Sequence, residues 1–209
     1  SIRGVATERS SRITLLEDNI LIAPAPYSAP SAYYFPTMGR MHAVEVIKGP
    51  AAISQGPYTI GGALNLVSTP IAQDPQLNFL PETGSDATHR ARVALHQNIG
   101  SRGKFMLESH LWRSDGFQAI RGSQQDTGLT LDDYTGKFEL GSKDGRHKLS
   151  LKLQTTEQQS HQSYLGLTDQ DFRDAPLHRY GISELDTIDT HHQQQVLRYV
   201  YQPAEATRL

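Results

Sequence analysis

Apolar and polar residues alternate along several segments of the chain after residue 76. Leu149, Leu151 and Leu153, for example, are separated by Ser150, Lys152 and Gln154. A period of two places apolar side chains on one face of a β-strand and polar side chains on the other. The alternation predicts strands over these segments: Ala87 to Asn98, Lys104 to Ser114, Asp133 to Leu140, Leu149 to Gln154 and His192 to Gln202.

The connections between these segments alternate in length. Two are short, at Ile99 to Gly103 and at Ser142 to Arg146, and two are long, at Gln118 to Thr130 and at Thr155 to His191. Short turns at one end of a sheet and long loops at the other are typical of outer-membrane β-barrels. A soluble antiparallel sandwich, such as a carbohydrate-binding module, also alternates its faces, so alternation by itself favours neither architecture.

Two details favour the barrel over the sandwich. The connection from Thr155 to His191 has no apolar periodicity, and such a long segment is uncommon in a compact domain unless it is functional. Tyr199 and Tyr201 also follow the apolar face of the last strand near its end, where a barrel carries an aromatic girdle.

The first part of the chain, to about Gln73, has a different pattern. It is rich in Pro, Gly and Ala and contains four short apolar runs, at Ile13 to Leu16, Ile20 to Ala23, Val44 to Ile47 and Leu64 to Val67. Short apolar runs bounded by turn residues predict short strands in a compact, loop-rich domain.

Composition excludes several classes of protein. Hydrophobic residues make up 37% of the 209 residues and the mean hydropathy is −0.50, which leaves little for a conventional core. The net charge of −2 argues against nucleic-acid binding, which requires a concentrated basic face. The absence of cysteine excludes disulfides and thiolate metal sites.

The most informative segment runs from Met41 to Thr69 and reads MHAVEVIKGPAAISQGPYTIGGALNLVST. Its glycine-rich turns punctuate two strands, because proline cannot donate to a ladder and glycine accepts a positive φ. The residues that define the pattern are Glu45, Lys48, Gly49, Pro50, Gly56, Gly61, Gly62 and Asn65. In this order and register they resemble the plug signature of TonB-dependent outer-membrane receptors.

Shorter segments extend the resemblance. Ile2-Arg3-Gly4 and Leu15-Leu16-Glu17-Asp18-Asn19 are similar to two other plug motifs of that family, with Asn19 where the family usually has glycine. Asn is the substitution best tolerated in left-handed backbone. Lys48 stands where the family more often has Arg, which removes a bidentate donor. The run from Ala23 to Pro36 and the segment Ser163 to Asp169 resemble the ferric dicitrate (siderophore) receptor branch.

The resemblance implies a mainly β fold in two parts. Residues 1–73 would be the C-terminal part of a mixed α/β plug domain, and residues 74–209 would be the first ~6 antiparallel strands of a 22-stranded transmembrane barrel. The chain would be a fragment that lacks the amino-terminal segment that engages TonB. The implied activity is uptake of a ferric siderophore, a citrate-like chelate or another metal chelate across the bacterial outer membrane, with TonB, the chelate and membrane lipid as partners. No enzyme activity, nucleic-acid partner or resident cofactor is implied.

The same resemblance suggests which residues carry function. An anionic chelate needs Arg donors, hydroxyls and aromatic rings on the apical plug loops and the long barrel loops. The candidates are Arg12, Tyr27, Ser28, Tyr33 and Tyr34 in the plug and Arg121, Arg173 and Arg179 in the loops. Arg3, Glu45 and Lys48 are interpreted as structural, paired within the plug or with acids such as Glu108 and Glu139.

Neither a metal site nor a catalytic site is predicted. Histidines and carboxylates are frequent between His161 and His192, but no pair has the spacing of helix-borne metal ligands. The chain also has no nucleophile motif and no phosphate-binding glycine loop followed by Lys-Ser/Thr.

Overall fold

The computed structural model describes residues 13–22, 34–56 and 59–203. It divides into two compact units, Ser1–Pro70 and Ile71–Leu209. The predictions for Arg3, Gly4, Arg12, Tyr27, Ser28 and Tyr33 lie outside the described residues. No helix in the described ranges is both long and apolar enough to cross a membrane.

The first unit contains a four-stranded sheet with the order β2-β1-β4-β3. The strands are β1 (Ile13–Glu17), β2 (Ile20–Leu21), β3 (Met41–Ile47) and β4 (Gly62–Ser68). β1 and β4 are parallel, whereas the other two pairs are antiparallel. All four predicted apolar runs therefore coincide with strands. The only helices in the described part of this unit are the 3-10 helices Met38–Arg40 and Pro50–Gln55.

Glycine and proline end the strands of this unit as the sequence predicts. Gly49 has a φ of +80° and Pro50 opens a 3-10 helix, so β3 cannot continue. Gly62, where β4 begins, has a φ of +120°. Asn19 lies in the left-handed region with a φ of 66°, which explains why asparagine can replace glycine in the β1–β2 turn.

The second unit is dominated by a six-stranded antiparallel sheet with the order β12-β10-β9-β7-β6-β5. Its strands are β5 (Gln76–Thr83), β6 (His89–Ile99), β7 (Gly103–Ser114), β9 (Leu129–Gly141), β10 (His147–Ser160) and β12 (Ile188–Tyr201). A separate pair joins β8 (Ala119–Ile120) to β11 (His178–Arg179), and α1 spans Asp169–Asp174. The mainly β fold predicted from the sequence is confirmed.

The strands are longer than the alternation predicts. β10 continues to Ser160, although the sequence prediction places Thr155 at the start of a loop, because cross-strand pairing persists where both faces are polar. β5 has no clear alternation and contains Pro81. It lies at the edge of the sheet, where a strand tolerates a residue without an N–H donor.

The two faces of the six-stranded sheet have opposite character. One face carries exposed apolar side chains, among them Leu77, Phe79, Leu107, Phe138 and Leu149. The buried side chains of the other face are mostly polar, with Ala94, Met106 and Leu131 as apolar members; the polar ones include His96, Glu108, His110, Asp133, Thr135, Lys152, Gln154 and Thr156. This arrangement is the reverse of a soluble sandwich, in which buried positions are apolar.

Candidate ligand-binding loops

Two loops meet at one end of the six-stranded sheet. The first loop, residues 115–128, joins β7 to β9, and the second loop, residues 161–187, joins β10 to β12. The turns at 100–102 and 142–146 lie at the other end of the strands. Long and short connections therefore lie at opposite ends, as the sequence predicts.

A short parallel ribbon ties the two loops together. β8 pairs with β11 through Ala119 and His178 and through Ile120 and Arg179. The backbone N–H of Arg121 also donates to the carbonyl of Arg179 at 3.0 Å. Ile120 and Arg179 are buried on one face of the ribbon, whereas Arg121 is exposed. Sequence periodicity could not reveal a ribbon of two residues per strand.

The predicted ligand residue Arg179 is built into this junction. It is 6% exposed, and its guanidinium donates to the backbone carbonyls of His161 and Ser183. Both contacts hold the second loop in shape. Arg179 is therefore buried inside the junction, whereas the sequence prediction makes it a cation that faces a ligand.

A second set of contacts closes the base of the first loop. Asp126 Oδ1 lies 2.8 Å from His161 Nδ1, and Ser123 Oγ donates to Glu184 Oε1 at 2.6 Å. The pKa of Asp126 is lowered: burial would raise it, but hydrogen bonds from the Gly128 N–H and from His161 outweigh the burial. The carboxylate form of Asp126 is therefore the one that fastens the two loops.

The exposed polar centre of the loops surrounds Asp171. Arg121 Nη2 lies 3.2 Å from Asp171 Oδ1, and Tyr180 Oη donates to Asp171 Oδ2 at 2.5 Å. Thr168 Oγ1 donates to the same carboxylate at 2.8 Å and accepts from the Asp171 N–H. Hydrogen bonds from Tyr180, Thr168 and Arg121, in that order of effect, lower the pKa of Asp171.

Arg121 and Arg173 remain solvent-accessible candidates. The Arg121 guanidinium lies 5.9 Å from the centre of the Tyr180 ring, and 47% of its side chain is exposed. Arg173 projects from α1 and donates to Gln170 Oε1 at 3.4 Å. Thr168 and Tyr180 are not among the ligand residues predicted from the sequence. For Thr168 a local signal exists, because the pattern Thr168-x-x-Asp171 is typical of a helix N-terminus.

The plug-like residues of the first unit form their own network. Asn65 Nδ2 donates to Glu45 Oε2 at 2.6 Å, and Asn65 Oδ1 accepts from the Asn19 N–H at 2.8 Å. Glu45 therefore has its hydrogen-bond partner within the first unit, and pairing within the plug is one of the two arrangements that the sequence predicts for it. Lys48 is exposed and forms no ion pair with any residue in the described ranges.

Three further expectations also have structural outcomes. Tyr34, a predicted ligand contact, packs into the hydrophobic cluster of Leu15, Ile22 and Leu66, because its ring completes the small core of the first unit. Glu108 pairs with Arg92 at 2.6 Å, and Glu139 pairs with Lys104 and Lys148 at 3.4 and 3.1 Å. These acids therefore have partners within the six-stranded sheet.

No metal centre is visible within residues 13–22, 34–56 and 59–203. There, no group of three or more His, Asp or Glu side chains is arranged to hold an ion. The histidines of the second loop instead form hydrogen bonds such as that of His161 to Asp126.

Comparison with solved structures connects this geometry to a fold. The chain superposes on the ferric citrate transporter FecA with a TM-score of 0.75 and 23% identity, covering 96% of this chain and 30% of the transporter. The chain shares the fold of TonB-dependent siderophore receptors. No family model matches the sequence.

Two further receptors share the fold at lower identity. The siderophore receptor PiuA of Acinetobacter baumannii has a TM-score of 0.60 at 16% identity, with 74% of this chain and 20% of that one covered. The ferric-catecholate import receptor Fiu of E. coli K12 has a TM-score of 0.60 at 17% identity, with coverage of 78% and 22%. All three are transporters or receptors, not enzymes, and the chain spans less than a third of each.

Proposed function

We propose that this chain is part of a bacterial outer-membrane receptor that imports a ferric chelate with energy delivered through TonB. In this proposal residues 1–73 belong to the plug and residues 74–209 to the first strands of a 22-stranded barrel. The division of the chain at Pro70 and Ile71 supports that boundary.

The observation that carries the proposal is the course of the apolar face across the sheet. Cross-strand pairing defines a row through Ala91, Leu111, Asp132, Glu157 and His191. On β6 and β7 the apolar face reaches this row, since Ala91 and Leu111 are its last apolar members. On β9, β10 and β12 it ends earlier, at Tyr134, Leu153 and Leu197.

From β7 to β9, β10 and β12, the limit of the apolar face therefore moves by two residues at each strand, toward the end of the sheet that carries the short turns. On β6 the limit lies in the row that contains His191, whereas on β12 it lies at Leu197. The limit therefore moves by six residues over the four steps from β6 to β12. With about 3.3 Å per residue and about 4.8 Å between strands, a horizontal boundary requires a strand tilt of about 45°. Strands of outer-membrane barrels tilt by ~35–45°.

A planar boundary across tilted strands is what a membrane surface imposes. A soluble sheet instead packs its apolar face against a second layer, whose strands cross its own at about 30° or at nearly right angles. Tyr199 and Tyr201 lie beside His147 near the short turns, with Tyr201 and His147 ring centres 5.0 Å apart, and form an aromatic edge to the apolar face.

Ferric citrate is the chelate that we propose. Support comes from the fold shared with a ferric citrate transporter and from the Arg121 and Arg173 side chains on the loops. Arg12, Tyr27, Ser28 and Tyr33 stay proposed ligand residues on the family resemblance alone, because they lie outside the described residues.

The proposal is tested by growth. A strain that lacks the complete gene should fail to grow under iron restriction when ferric citrate is the sole iron source, and the gene supplied in trans should restore growth. Other ferric chelates, offered singly, should support both strains equally. Unimpaired growth of the deletion strain on every chelate would contradict a role in iron uptake.

A further inference from the structure

The contacts around Asp171 have the composition of a carboxylate-binding site. A guanidinium from the first loop, the Tyr180 hydroxyl and the Thr168 hydroxyl all converge on one carboxylate. Proteins bind carboxylate ligands with the same donors. Here the occupant is a side chain of the protein itself.

The Asp171 carboxylate does not engage all the donors that the Arg121 guanidinium offers. Arg121 makes a single contact with Asp171, at 3.2 Å, although its guanidinium can bind a carboxylate through two parallel hydrogen bonds. Within the described part of the chain this is the only ion pair of Arg121. An exposed, single-contact ion pair is weak and can be displaced by an anion with better geometry.

Other hydrogen bonds hold Asp171 in place when Arg121 moves away from it. Asp171 lies in the first turn of α1, where its N–H donates to the N-cap Thr168 Oγ1 at 3.1 Å and its carboxylate accepts from the same hydroxyl, while the Thr168 N–H donates to Tyr180 Oη at 3.2 Å. Thr168 can therefore hold Asp171 while Arg121 turns to another carboxylate and the Tyr180 hydroxyl, still accepting from the Thr168 N–H, donates its proton there. The loops would remain joined through β8, β11 and the contact of Ser123 with Glu184.

We infer that Arg121 and Tyr180 form a binding site for a carboxylate-bearing chelate and that Asp171 occupies this site as an internal competitor until the chelate displaces it. The inference rests on the proposed receptor function and adds the chemical group recognised and the contact that is exchanged. Removal of Asp171 should therefore strengthen binding, although Asp171 lies at the site.

The test measures the affinity of the purified complete receptor in detergent for two probes, ferric citrate and a ferric trihydroxamate that has no carboxylate. Asp171→Asn should tighten ferric citrate binding about two- to fivefold, the range expected on release of an exposed ion pair. Arg121→Ala should weaken it roughly tenfold, as loss of a charged hydrogen bond does. Arg121→Lys should weaken it less, because it keeps the charge without the fork.

Asp174→Asn is the matched control. It removes the same charge from the same helix, but Asp174 bonds Gln170 and not Arg121. Ferric citrate affinity should stay unchanged in this variant. Equal tightening by Asp174→Asn and Asp171→Asn would indicate a general charge effect and would overturn the inference, as would unchanged or weaker binding in Asp171→Asn. Circular dichroism of each variant verifies folding.

The two probes separate the inference from the function on which it rests. A receptor that binds only the trihydroxamate would overturn the carboxylate site while the receptor function stands. A receptor that binds neither probe, from a strain whose iron uptake does not depend on the gene, would overturn both.

Discussion

Glu17 and Arg40 show how much a single pair contributes to the first unit. Both side chains are almost completely inaccessible, and Arg40 donates from Nη1 and Nη2 to the two carboxylate oxygens of Glu17 at 2.6 and 3.0 Å. The bidentate geometry compensates the desolvation of both charges. In the sequence, Glu17 is recognisable only as part of a motif and Arg40 is not recognisable at all, because nothing local connects residues 23 positions apart.

Removal of one member of this pair should be costly. Glu17→Ala removes the bidentate carboxylate from the buried Arg40 guanidinium, which costs about 3–5 kcal/mol in the free energy of unfolding. The double variant Glu17→Ala, Arg40→Met should recover most of that loss, since neither charge of the pair remains buried. Protease digestion under native conditions, followed at the first unit, measures the difference. Equal susceptibility of the single and double variants would contradict the interpretation.

Two glycines of the loops provide a sharper contrast. A Cβ on Gly128 would come within 1.7 Å of the Ser114 carbonyl oxygen, so Gly128→Ala should disrupt the closure of the first loop. Gly166 has open space around the same position and a φ outside the left-handed region, so Gly166→Ala should be neutral. Thermal unfolding compares the two. A similar midpoint for both variants would show that the backbone at Gly128 relaxes freely.

At the scale of elements, the two loops behave as one unit. Each contributes one strand to the β8–β11 ribbon, and each contributes partners to the contacts of Asp126 and Asp171. Loops joined in this way position Arg121 against Tyr180 more firmly than either loop could alone. The charges of the two acids therefore contribute to the junction, together with the ribbon.

This junction should be sensitive to acid. The pKa values of Asp126 and Asp171 are both lowered from the ordinary value of 3.8, so their stabilising contribution is present above about pH 3.8 and is lost as the pH falls through the lower folded values. Pepsin cleavage between Leu165 and Leu177 should therefore increase as the pH is lowered from 4 to about 2.

The double variant Asp126→Asn, Asp171→Asn provides the control for this experiment. Its loops lack both carboxylates at every pH, so its cleavage relative to an unfolded reference chain should not change with pH. A wild-type cleavage ratio that stays constant over the same range would show that these acids do not hold the junction.

At the scale of the whole molecule, the apolar face of the second unit is its defining feature. Leu107 and Gln195 belong to the same cross-strand row, through Gly136 and Leu153, yet they lie on different sides of the inclined boundary. A soluble sheet has no membrane surface to set such a boundary, whereas in a sheet whose strands tilt across a membrane the members of one row lie at different depths.

Substitution with arginine distinguishes these cases in the complete receptor. Leu107→Arg places a charge within the apolar face and should destabilise the receptor by about 2–4 kcal/mol, as at a bilayer midplane, whereas Gln195→Arg should cost about 0–1 kcal/mol. Unfolding by urea from lipid vesicles measures both. Equal effects would contradict a membrane boundary between the two positions.

Most elements could be predicted from the sequence because their signals are local. Alternation located the long strands, Gly49-Pro50 ended β3, and the signature from Met41 to Thr69 indicated the fold that the structure shares with siderophore receptors. The sequence did not indicate β5, whose edge position allows it to contain Pro81, or the full length of β10.

By itself, then, the sequence determined where most of the long strands lie, where glycine ends a strand and which face of each alternating strand is apolar, because these depend on neighbours one to four positions away. The tertiary structure alone decided the parallel pairing of β1 with β4, the Glu17–Arg40 pair, the burial of Tyr34 and Arg179, and the meeting of Arg121 with Asp171. Such contacts join residues up to 50 positions apart, and only the pairing of distant strands and the packing of the loops bring them together.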